Sequence, residues 1–179
     1  MTINYLRLVP LFQGVDNQQW CDIFDVEIVP DWIGSYRQAT QFQPDIISAN
    51  VDGSDYVFDI ALGRGIGSYC ITAGKHSGPR PSSRMRGHPQ SAGEDYHRGH
   101  LIAHTLGGRT DINLFSQRGR LNIGAFRRLE RQAVKKVGVL YFVRLLYDRS
   151  SDSQLPNRIE QGLISDIQQP NIQVTAFDN

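Results

Sequence analysis

Residues 95 to 130 gather chemically capable side chains at close spacing. Asp95-Tyr96-His97-Arg98-Gly99-His100-Leu101-Ile102-Ala103-His104 is followed by Asp111-Ile112-Asn113-Leu114-Phe115. Leu121-Asn122-Ile123-Gly124-Ala125-Phe126-Arg127-Arg128-Leu129-Glu130 comes next. The set supplies an imidazole that titrates near neutrality, amide oxygens hard enough for a divalent cation, a carboxylate and several guanidinium groups. Those are the requirements for metal-assisted cleavage of a phosphodiester: a base for water, a seat for an ion, and cations where charge develops. His100 is the candidate base, although a lone loop histidine is more often held for structural reasons. Arg98 offers a planar donor pair to a pentacovalent phosphorane, or else fixes its own loop through Asp95. Asn122 falls at a helix start, where asparagine is a favoured N-cap, and the residue alone leaves cap and ligand both open.

The elements that must hold these residues are legible to different degrees. Asn122, Phe126, Leu129, Ala133 and Val137 recur at helical spacing, and Gly138 behind Lys135 and Lys136 suits a helix terminus, so one helix is expected across 122–137. Strands are expected over 139–147 and 158–164, and a weak strand or tail over 171–177. Upstream, Ile23, Val26 and Ile28 read as strand alternation before Pro30. Tyr56, Phe58 and Ile60 share one parity after the Asp52-Gly53 turn signal. The first third therefore reads as sheet with loops. From Arg64 to Gly93 the composition turns to Gly, Ser, Pro and Arg, which is loop chemistry. Phe115 and Phe126 read as core residues rather than base-stacking platforms.

A chain of 179 residues suits a single domain with its own core. Its net charge of +1 conceals a division. Residues 1–63 hold two arginines against nine acids, a net −7, in what reads as an acidic, β-rich part. Residues 64–149 hold 16 Lys or Arg against five acids, a net +11, and contain the motif. Residues 150–179, a strand and tail, hold one arginine against four acids, a net −3. A basic middle suits a surface that follows phosphates, or simply a solvated helix with its loops. The start lacks a basic segment followed by an apolar one, and no apolar run reaches membrane-spanning length. The expectation is a protein without a signal peptide, cytoplasmic or delivered by a specialised secretion system. Cys21 and Cys70 permit one bridge or two thiols.

Over residues 95–147 the chain resembles the DNA/RNA non-specific endonucleases, a branch of the His-Me finger (ββα-metal) nucleases, and in particular their small bacterial toxin-like members. Arg98-Gly99-His100, Asn113-Leu114 and the Asn-x-Gly-Ala-aromatic-x-x-Leu-Glu run from Asn122 to Glu130 occupy the family's motif positions in order. The resemblance implies an α+β fold with an antiparallel sheet core carrying a ββα-metal motif. It implies His100 as general base, Arg98 as transition-state cation and Asn113 as support for the site. Asn122 would be the direct protein ligand of Mg²⁺ or Mn²⁺. Glu130 lies about 12 Å further along a continuous helix, so it would reach back to a metal-bound water rather than share the ion directly. Its other reading is a surface partner for Arg127 or Arg131. Arg84, Arg86 and Arg127 are candidates for substrate phosphates. The family's acid before Arg-Gly-His is His97 here, with Asp95 two positions upstream as a substitute.

The implied activity is hydrolysis of DNA, or of DNA and RNA both, with little sequence preference, leaving 5′ phosphates. The implied partners are the nucleic acid and an immunity or inhibitor protein, with an antibacterial toxin effector as the biological role. The alternative is a catalytically inactive module that keeps the fold and binds nucleic acid or protein. His97, His100 and His104 also allow a zinc reading, against which no third and fourth ligand is evident.

Overall fold

A computed structural model describes residues 2–79, 88–109, 111–149, 152–166 and 168–179. Among these residues six strands form one antiparallel sheet: β1 (Ile46–Val51), β2 (Ser54–Asp59), β3 (Arg64–Ile71), β6 (Leu140–Leu146), β7 (Arg158–Ser165) and β8 (Asn171–Asp178), adjacent in that order. The remaining two, β4 (Tyr96–His100) and β5 (Leu114–Arg118), make a separate antiparallel ribbon between β3 and β6 in the chain. The helices are α1 (Val9–Phe12), α2 (Trp20–Glu27), α3 (Val29–Ala39), α4 (Gly119–Ile123) and α5 (Phe126–Lys135). The fold is α+β on an antiparallel sheet, as expected.

The central strand β6 is buried along nearly its whole length and serves two faces. On one parity, the Phe142 ring meets Tyr5, Phe24 and Trp32 at centroid distances of 4.8, 5.2 and 6.1 Å, so α2 and α3 cover that face. Trp32 enters where Gly67 leaves room, and the Phe142 ring lies over Gly162, positions where a Cβ would collide with those rings. On the other parity, the Tyr141 hydroxyl accepts from Gln161 Nε2 at 2.8 Å, and the same nitrogen donates to the Phe126 carbonyl of α5 at 3.1 Å. Phe126, Leu129 and Ala133, the apolar face of α5, are buried against this second side. The sheet thus separates a helical layer from the layer that carries the ribbon and α5.

The first third departs from the expected sheet with loops. Ile23 and Val26 lie in α2, and Ile28 joins α2 to α3. Trp20, Phe24, Ile28, Trp32 and Tyr36 recur every fourth residue and are all buried, a helical stripe that the branched residues between them masked. The hairpin after it is as expected: Asp52 and Gly53 both take positive φ, 51° and 78°, the two-residue turn that matches strand twist. Tyr56 and Phe58 belong to β2, and Ile60 lies just beyond it. β6, β7 and β8 fall where strands were expected, but β3 occupies Arg64–Ile71, inside the stretch from Arg64 to Gly93 that read as loop, because its small and polar residues are buried between β2 and β6.

The expected helix over 122–137 is two helices. Gly124, at φ −105° and ψ −110°, ends α4, and α5 begins two residues later. The helix N-terminus is set by Gly119 rather than Asn122, and Arg118 is the capping residue, without a side-chain cap. The N-cap reading of Asn122 is therefore not what the fold uses.

Candidate active site

The ribbon presents His100 at the end of β4. Gly99 before it faces the buried Gln117 side chain, whose Oε1 would be 2.5 Å from any Cβ placed there, so the Arg-Gly-His order leaves room for a packed amide. His97 is on the other parity, and its ring lies against Gly119, where a Cβ would come within 2.8 Å of Nε2. Arg98 shares the parity of His100 and is exposed.

Asn113 locks the chain leaving His100. It is fully buried, and its Oδ1 accepts from the Ile102 N–H at 2.7 Å. Its Nδ2 donates to the carbonyls of Ile102 and Arg109, both at 2.8 Å, and its own carbonyl accepts from Leu101 N–H at 2.9 Å. With its amide so occupied, Asn113 positions the loop and does not reach outward. Gly107, at φ 96°, closes the short turn of His104–Leu106, and Gly108 passes so close to the Ile102 carbonyl that no side chain fits.

On the far side, β5 runs directly into α4. Gly119 N–H donates to the Asp95 carbonyl at 2.8 Å, and Arg118 N–H donates to Asn179 Oδ1 at 2.9 Å. The short helix carries Asn122, and the Gly124 break redirects the chain so that Glu130 of α5 faces the same space. His100, Asn122 and Glu130 line one cavity of about 510 Å³, with Arg127 and Arg131 beside them. Glu130 is half-buried, and burial pushes its carboxyl up to about 7, against the pull of Arg127 and Arg131.

The cavity therefore unites the expected base, ion-binding amide, carboxylate and one expected phosphate contact, Arg127. Arg98 does not line it, and Asn113 supports it from behind. Arg84 and Arg86 lie outside the described residues. Four basic lining residues were not singled out as site residues: Lys75, His104, Arg131 and Lys135. The last two could have been found, since Arg127, Arg131 and Lys135 repeat every fourth residue and must share a helix face. Lys75 carries no such signal. His97 lies apart from His100 and His104, and among the described residues no group of three or more His, Cys, Asp or Glu is arranged to hold a metal, which removes the zinc reading there. Cys21 and Cys70 are free thiols, both pushed up to about 12, chiefly by burial.

A family model for DNA/RNA non-specific endonucleases matches residues 71–163, a span that contains the ribbon, α4, α5 and every residue of the cavity. The chain belongs to the DNA/RNA non-specific endonuclease family. It is a nuclease, a hydrolase of phosphodiester bonds, in a family whose members depend on divalent metal. The solved structure of an EndoG/EndoGI complex, from work on the mechanism of EndoG inhibition, matches with a TM-score of 0.56 at 16% identity, covering 83% of this chain and 80% of the matched one. That likeness concerns the fold. No curated protein sequence matches the chain. Among the described residues no helix is long and apolar enough to cross a membrane.

Proposed function

We propose that this nuclease is a metal-dependent endonuclease that hydrolyses DNA and RNA with little sequence preference. The observation that carries the reading is the shared cavity of His100, Asn122 and Glu130, which come from a strand, a short helix and a second helix. His100 takes the proton of the attacking water, as an imidazole with a pKa near neutrality can. The Asn122 side-chain oxygen and the Glu130 carboxylate are hard donors too few for a closed cage, which suits Mg²⁺ or Mn²⁺ keeping its waters. Asn122 would hold the ion directly and Glu130 one of its waters. Once bound, the ion supplies charge stabilisation for the phosphorane and the leaving oxygen. Arg127 binds a phosphate oxygen at the cavity rim, and Arg98 meets one from the exposed side of β4.

Cleavage of plasmid DNA and of a long RNA, across Mg²⁺, Mn²⁺ and chelator, tests this reading. His100→Ala is expected to lose turnover while retaining metal and substrate binding. Asn122→Ala is expected to raise the metal requirement. Binding without cleavage by the wild-type chain under every metal would instead favour the inactive nucleic-acid-binding module.

The EndoG/EndoGI complex supports the idea of an inhibitor protein as a partner. For this chain an acidic inhibitor would suit the cations around the cavity, as an immunity protein would for a toxin effector. Loss of viability in cells expressing the active chain, and its rescue by a co-purifying acidic protein, tests that role.

A further inference from the structure

The cavity is longer than one phosphate requires. Asn122 lies at the end where α5 begins, while Lys135 is at the last turn of α5, about 14 Å along the helix from its first residue, Phe126. Neighbouring phosphates of one strand lie closer together than the length of α5, so space for a second phosphate remains.

Three cavity-lining groups collect around that far end. The segment after β3 runs beside the α5 terminus: the Thr72 hydroxyl donates to the Lys136 carbonyl, and Gly138 N–H donates to the Thr72 carbonyl at 2.7 Å. A Cβ on Gly74 would touch Val137 at 3.5 Å, which brings Lys75 to the same end. His76 N–H donates to the Thr105 carbonyl at 2.8 Å, and the His76 ring stands edge-on to His104 at 5.5 Å, so His104 is drawn to this corner. Lys75, His104 and Lys135 all line the cavity. The His104 Nε2 is inaccessible to solvent and has no hydrogen-bond partner in the protein. A buried polar atom without a partner is costly, so a turn of the ring that brings Nε2 into the cavity to meet a phosphate oxygen is favoured.

We propose that Lys75, His104 and Lys135 form a second phosphate subsite, which holds the phosphate next to the scissile one. The inference rests on the nuclease reading of His100 and Asn122. The subsite makes the favoured substrate an internal linkage flanked by another charged linkage, rather than an isolated phosphodiester.

The test uses three short substrates: a dinucleotide with one phosphodiester, a trinucleotide with two, and trinucleotides in which one linkage is an uncharged methylphosphonate. With wild-type protein and Mg²⁺, the trinucleotide is expected to give a kcat/KM about tenfold above the dinucleotide, the size of one charge-assisted contact. Both methylphosphonate isomers should fall to the dinucleotide level, since each keeps one cleavable linkage beside an uncharged one, and which linkage of the all-phosphate trinucleotide is cut identifies the side the subsite serves. In Lys75→Ala/Lys135→Ala, and separately in His104→Ala, the advantage of the trinucleotide should shrink towards one, relative to the dinucleotide measured with the same variant. Both lysines are exposed, so the double variant is expected to fold. Equal rates on dinucleotide and trinucleotide with wild-type protein overturn the subsite, as does an advantage that survives both variants. Cleavage of polynucleotide without cleavage of the trinucleotide overturns it as well. Absence of cleavage on every substrate is the distinct failure of the nuclease reading itself.

Discussion

A half-buried carboxylate with a pKa of about 7 changes stability with pH, and Glu130 is such a group. Its folded value lies above the ordinary carboxylate value, so folding favours the protonated form. The metal-free protein therefore loses stability as pH rises from the unfolded value, about 4.3, through about 7. Glu130→Gln is expected to leave Tm unchanged at pH 4 or below. Above about pH 7 it should raise Tm, and thermal melts without metal across that window check the sign. Asn113 makes the opposite case, a polar group whose burial is fully satisfied. Asn113→Ala strands Ile102 N–H and two carbonyls, at a cost of about 3 kcal/mol. Asn113→Asp should be no better, because it keeps the acceptor for Ile102 N–H but turns a carboxylate oxygen towards both carbonyls. Chemical denaturation of the pair distinguishes this geometry from a simple loss of volume, in which the aspartate would rescue.

The elements were readable where spacing and packing agree. The segment around β6 stands out as a short run of branched and apolar residues bounded by turn residues, whereas β7 and β8 are interrupted by polar residues and declare themselves more weakly. The Asp52-Gly53 turn declares itself through a conformation that few residue pairs accept. The helices α2 and α3 were hidden because Ile23, Val26 and Ile28 are branched residues that also favour strands, although only Val26 and Ile28 are two apart, and Ile23 and Val26 lie between members of the fourth-residue stripe from Trp20 to Tyr36. The division of the motif helix was hidden for another reason. Gly124 lies inside a run that has good helical periodicity, and only its backbone angles reveal the break. That break has a consequence for chemistry, since it sets Asn122 against Glu130. A Cβ at Gly124 would lie 2.7 Å from the Arg120 carbonyl, so Gly124→Ala must swing α4 relative to α5. The apolar face of α5 remains buried, and the fold should survive. The metal concentration for half-maximal cleavage should rise severalfold, with KM for nucleic acid nearly unchanged; a change in KM alone would point to the substrate track instead.

For the whole molecule, part of the charge division seen along the chain becomes a division in space between α2 and α5. Asp22 and Glu27 belong to the helical layer on the Phe142 side of the sheet, whereas Arg127, Arg131 and Lys135 stand on α5, on the Tyr141 side. The sign asymmetry was legible in the sequence; that the sheet stands between the acids of α2 and the cations of α5 was not, because it depends on which strand parity each helix covers. The two layers should act differently on nucleic acid. Each phosphate contact releases condensed counterions and adds about 0.7 to 0.9 to the slope of log affinity against log salt. In a His100→Ala background, Arg127→Ala/Arg131→Ala should therefore lower the slope by about 1.5 for single strands and duplexes of any sequence. Asp22→Asn/Glu27→Gln removes charges from the opposite layer and touches no phosphate. It should strengthen binding slightly at low salt, through weaker long-range repulsion, while leaving the slope intact. Fluorescence anisotropy over a salt series separates these outcomes: a slope that follows net charge alone, with both double variants shifting it in proportion, would mean that the cavity's arginines make no direct contact with the backbone.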